Sequence, residues 1–137
     1  MKRNFALFVT AVALLVTAAA SAETIKLRAN VPFNFIVNGA TLPAGEYSIS
    51  TMDEQGFVLS IRDLNSTAKS LIVVHGCQSP TIMQQTKLIF HRYGNRYFLR
   101  KVWVEGNSIG HELPPSPRET EVAKDFSMQE VVLMARR

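Results

Sequence analysis

The pairing in this chain best suited to chemistry is His75-Gly76-Cys77, an imidazole and a thiol one residue apart. Both groups bind zinc, and an imidazole can take the proton of a neighbouring thiol to make a nucleophile. Two ligands do not complete a site, because structural zinc takes four protein ligands and catalytic zinc usually three. The other histidines, His91 and His111, lie in separate segments. The pair therefore reads as a strand end followed by a small turn, and no metal or cofactor is expected there.

Carboxylates offer a second route, since glycoside cleavage commonly uses two of them facing each other across the bond. Here they are scattered. Glu46, Asp53, Glu54 and Asp63 fall at strand ends or turns, and Glu119, Glu121 and Asp125 fall on a short helix, positions where carboxylates are usually solvated. No G-x-S-x-G, phosphate-binding glycine loop or H-E-x-x-H pattern occurs. No catalytic residue is assigned.

The third group is cationic. Lys87, His91, Arg96 and Arg100 lie in Thr86 to Val104, a stretch without any acidic residue, beside Tyr93 and Phe98. Cations among flat rings suit an anion or a sugar. On an ordinary sheet the same residues keep an outer face soluble and discourage edge pairing.

A β-hairpin has to position this third group. Two β-rich runs meet at Gly94-Asn95, where Gly in first place suits a type II′ turn. The implied register sets Tyr93 against Arg96, His91 against Phe98 and Ile89 against Arg100 on one face. On the other face it sets Arg92 against Tyr97, Phe90 against Leu99 and Thr86 against Trp103. The second face is the more apolar, so Phe90 and Trp103 are expected in the core.

The remaining mature chain also reads as short strands. Thr24 to Ala29 alternates, Phe33, Phe35 and Val37 continue after Pro32, and Asn38-Gly39 and Leu42-Pro43-Ala44-Gly45 mark turns. Glu46 to Thr51 and Phe57 to Asp63 alternate again, with Asn65-Ser66-Thr67 in a turn. Leu71-Ile72-Val73-Val74 is apolar on both faces, as in a central strand. Gly76 to Pro80 ends that run. Glu105 to Pro117 reads as the longest loop, followed by a helix from Pro117 to about Asp125 with Ser116 as its cap and Glu119 completing a capping box. A last strand around Val131 and Leu133 should take a free sheet edge. The fold class is therefore all-β, an antiparallel sandwich or small barrel of about eight short strands with one short C-terminal helix.

Met1 to Ala22 reads as a signal peptide: Lys2 and Arg3, an apolar run from Phe5 to about Val16, then Ala20-Ser21-Ala22 as an A-x-A cleavage site. The run is shorter than the roughly 20 residues that cross a bilayer. Residues 23–137 then form one domain, and no later stretch is apolar enough to span a membrane. Without Lys2 and Arg3 the formal charge of +4 falls to +2, too mild to indicate nucleic acid. The single cysteine, Cys77, leaves the domain without an internal disulfide, and the residue is expected to be a small buried hydrophobe.

Three segments also carry a family resemblance: VPFNFIVNGATLPAGEYSI from Val31 to Ile49, LIFHRYGNRYFLRKVW from Leu88 to Trp103, and HELPPS from His111. They resemble a family of small exported bacterial proteins with V-P-F-x-F-x-V, L-P-A-G-x-Y and F-H-R-Y-G-x-R-Y-F motifs. The resemblance implies export, a bacterial source and a β-rich fold, and supplies no catalytic residue. The expected protein is an exported, non-enzymatic β-domain, periplasmic or extracellular, acting as a binding or structural module of the cell envelope or secretome. The expected partner is an acidic polysaccharide or the envelope surface, held on Lys87, His91, Arg96 and Arg100. A small secreted hydrolase or metal-binding protein, and a barrel carrying an apolar ligand, are the alternatives.

Overall fold

A computed structural model describes residues 25–137; the expected leader and its cleavage site lie outside the described residues. Two sheets pack face to face as a sandwich and do not close into a barrel. The smaller sheet has the order β1-β4-β5-β6, from Lys26–Val31 (β1), Gly45–Thr51 (β4), Val58–Asp63 (β5) and Lys69–Val73 (β6). The larger has the order β11-β8-β9-β10-β7, from His75–Gln78 (β7), Lys87–Tyr93 (β8), Arg96–Trp103 (β9), Ile109–Glu112 (β10) and Met128–Met134 (β11). Phe35–Val37 (β2) and Ala40–Leu42 (β3) form a small hairpin beside it. The pairing is antiparallel throughout, except where β2 meets β9 through Ile36 and Phe98.

Alternation drives this arrangement. Leu27, Ile49, Leu59, Ile61 and Ile72 point inward from one sheet and meet Phe35, Val37, Leu88, Phe90, Leu99 and Val102 of the other in one buried cluster. The L-P-A-G-x-Y segment turns the chain into β4, and the Tyr47 hydroxyl donates to the Pro43 carbonyl, a corner that pins the turn to the strand. Burial, with Asp63 nearby, pushes the Tyr47 phenol up to about 12. The Asn38-Gly39 turn has φ of 50° and 77°, the doubly left-handed pair that a tight hairpin needs.

Several expectations are corrected. Leu71 and Val73 belong to β6, an edge strand, and are 52% and 59% exposed rather than central. His75 to Gln78 does not merely end that run: the chain passes through buried Val74 into β7 of the opposite sheet. The long loop contains β10, which links β7 to β9. Helix α1 is Pro117–Val122, shorter than expected, with Ser116 Oγ accepting from Glu119 N as its cap. The last strand does take a free edge, along β8. Beyond it, Arg136 and Arg28 exchange two backbone hydrogen bonds of 2.7 and 2.9 Å, tying β1 to the end of β11.

Candidate functional site

The hairpin forms with the expected turn, Gly94 at φ 60°, and the expected pairs from Tyr93–Arg96 to Phe90–Leu99. Past Phe90 the register changes. Ile89 meets Lys101 and Lys87 meets Trp103, so Arg100 is the extra residue of a β-bulge. The expected pairs Ile89–Arg100 and Thr86–Trp103 are therefore wrong. One residue of slip turns a side chain to the other face, and Trp103 lies outside while its neighbours Val102 and Val104 fill the core. It is still only 8% exposed, because its indole lies on Gly110.

The bulge aims Arg100 at helix α1. Its Nη1 lies 2.6 Å from Glu119 Oε2, its Nε donates to the Leu113 carbonyl, and its Nη2 is 3.7 Å from Glu112. Tyr93 Oη donates to the same Glu119 oxygen at 3.3 Å, and His91 Nδ1 is 3.9 Å from it. Glu119, expected to be solvated and to close a capping box, is 4% exposed and serves this cluster instead. Ile36, Tyr93, Phe98 and Val122 form a second apolar cluster. Burial, followed by the charge of Arg100, pushes the His91 imidazole below its ordinary value.

Of the four expected anion contacts, Arg100 thus holds the helix, His91 sits half-buried beside it, and Lys87 is half-buried two rows away beside Trp103. Arg96 alone is exposed. The face is covered by a segment far away in sequence, and the four groups do not form one open patch.

The His75–Cys77 segment lies on edge strand β7, where Glu112 is directly opposite His75 and Gly110 opposite Cys77. Cys77 is half-exposed, not buried, and carries a free thiol. Desolvation, then the charge of Glu112, raises its pKa, which disfavours the thiolate that a ligand or nucleophile needs. Among the described residues no group of three or more His, Cys, Asp or Glu is placed to hold a metal.

The open cationic surface is elsewhere, on the outer face of the four-stranded sheet. Its register lines up two rows across the strands: Lys26, Ser50, Ser60, Leu71 and, beside it, Arg28, Ser48, Arg62, Lys69. Lys26, Arg28, Arg62 and Lys69 are all exposed. Among the described residues none of the four side chains takes part in an ion pair; the nearest carboxylate in the register, Glu46, pairs with Arg136 at 3.4 Å. The serines form a polar floor, and a groove of about 250 Å³ runs over it. Strand neighbours lie about 4.8 Å apart, so Arg28 and Arg62, two strands apart, can flank a ligand roughly 10 Å across.

No single segment reveals this face. Its signal was present as the polar half of each alternation, Lys26 and Arg28, Ser48 and Ser50, Ser60 and Arg62, and only the order of the strands joins them. No family model matches the chain, and no curated protein or solved structure does either.

Proposed function

We propose that this chain is an exported, non-enzymatic binding module of a bacterial envelope or secretome, and that it captures an anionic ligand on the outer face of its four-stranded sheet. One observation carries the reading: Lys26, Arg28, Arg62 and Lys69 surround three serines on an open face and have no ion-pair partners among the described residues. Unneutralised cations on one low-relief surface add their potentials and draw polyanions, whereas Arg100, already paired, contributes little. The tripartite leader and the motif resemblance support the placement outside the cytoplasm. The expected polysaccharide ligand keeps its chemistry and changes its address, from the hairpin to the opposite sheet.

Titrating residues 23–137 with an acidic polysaccharide at low and high salt tests this. Affinity should fall with salt, since exposed charges are screened beyond about 8 Å at physiological ionic strength. Arg62→Ala with Lys69→Ala should weaken binding more than Lys87→Ala with Arg96→Ala. Equal losses, or indifference to salt, would remove the assignment.

A further inference from the structure

The same face has an apolar end. Met52, Val58 and Val73 form the row next to Lys26–Ser50–Ser60–Leu71: Met52 N donates to the Val58 carbonyl at 2.9 Å, and Val58 is directly opposite Val73. Following the alternation, Met52, Val58 and Val73 share a side with Ser50, Ser60 and Leu71. Met52, Leu71 and Val73 are 60%, 52% and 59% exposed, which puts three large apolar side chains in water beside four cations. Met52 and Leu71 also line the groove, together with Lys26, Arg62 and Lys69. Scattered exposed apolar residues are ordinary, but a contiguous group marks a contact surface.

From this juxtaposition we infer that the face docks on an anionic lipid surface, with acidic headgroups over Arg28, Arg62 and Lys69 and the Met52–Leu71–Val73 end entering the headgroup–acyl boundary. The inference rests on the anion-binding reading above and narrows its ligand. Charge complementarity chooses the occupant. A purely polar polyanion would leave the three apolar side chains hydrated, and an apolar partner would have to desolvate four unpaired cations. A lipid headgroup region offers negative charge and hydrocarbon at adjacent depths, which matches a surface graded from cationic to apolar across neighbouring rows. The edge position of β6 makes this end accessible: Leu71 and Val73 lie on the outermost strand, whose Leu71 carbonyl is already bonded by Asn38 Nδ2 at 3.2 Å. The backbone edge is thereby partly occupied while the side chains stay free.

The experiment is vesicle co-sedimentation of residues 23–137 with phosphatidylcholine alone and with phosphatidylcholine containing phosphatidylglycerol, beside titration with an acidic polysaccharide. Binding is expected only with the anionic vesicles. Arg62→Ala with Lys69→Ala should reduce it about thirtyfold, at roughly 1 kcal/mol for each cation near a charged bilayer. Leu71→Ser with Val73→Ser should reduce vesicle binding and leave polysaccharide binding unchanged. Both pairs are exposed, and their denaturation midpoints report that the fold is retained. Failure to bind anionic vesicles, or vesicle binding indifferent to Leu71→Ser with Val73→Ser, overturns the lipid inference. If salt-sensitive polysaccharide binding persists in that case, the anion-binding reading stands; if it too is absent, both fall.

Discussion

Arg100 and Glu119 meet at 2.6 Å, the arginine raised on a bulge of β9 and the glutamate in the first turn of α1, and both are largely out of solvent. The pair fastens a six-residue helix to the sheet, a helix too short to be stable alone. Removing one partner leaves the other charge buried and unpaired, at a cost of about 3 to 5 kcal/mol. Arg100→Ala and Glu119→Ala should each lower stability by that order in urea denaturation. Arg96→Ala, on the exposed side of the turn, should change it by less than about 0.5 kcal/mol. Equal shifts for Arg100→Ala and Arg96→Ala would mean that the clamp does not hold the helix.

Gly110 is the floor for Trp103. A Cβ there would lie 2.5 Å from the indole Cε3, so Gly110→Ala must displace the ring or the strand. Overpacking of this kind typically costs about 1 to 3 kcal/mol. Tryptophan fluorescence should shift to longer wavelength as Trp103 is pushed toward water. An unchanged spectrum with unchanged stability would show that the indole does not rest on β10.

Acidification should loosen the fold before most carboxylates titrate. Burial lowers the pKa of His91 and of His111, while Glu119 and Glu130 act the other way on the first and Gly56 and Asp53 on the second. For each histidine the folded value lies below the unfolded value of about 6.5. Between the two values the unfolded chain binds more protons, so stability is fully present above about pH 6.5 and is lost as pH falls toward the folded pKa. Denaturant midpoints at pH 7.5 and 5.5 should therefore differ. The difference should shrink when His91 and His111 are both replaced by Gln, and a difference of the same size in that variant would refute the assignment.

The proposal of export makes a covalent prediction. Mass spectrometry of the protein recovered outside the cytoplasm should find Glu23 as its first residue, because Ala20-Ser21-Ala22 fits the cleavage rule. Recovery of exported chains that still begin at Met1 would rule that cleavage out.

The sequence was most legible where the deciding chemistry is local. Gly94, Asn38-Gly39 and Ser116-Pro117 each fix a turn or a cap through their own backbone preferences, and all three form as expected. The bulge at Arg100 was not legible, because its partner lies 19 residues on and nothing within the hairpin calls for an extra residue. Leu71-Ile72-Val73-Val74 misled for a related reason: a run apolar on both faces fits a buried strand, and also an edge strand whose outer side chains stay exposed. The cationic face was divided among β1, β5 and β6, three segments that only the strand order brings together.

The exchange of hydrogen bonds between Arg28 and Arg136 joins two residues that lie far apart in the sequence. Contacts between residues this far apart in sequence form slowly, because the intervening loop must close before they contribute. Nor can this bridge form before Arg136 has been synthesised, and until then β1 lacks one of its anchors. A chain cut short before Arg136 would leave that stretch of β1 with open backbone groups, a free edge to which a strand of another chain could add.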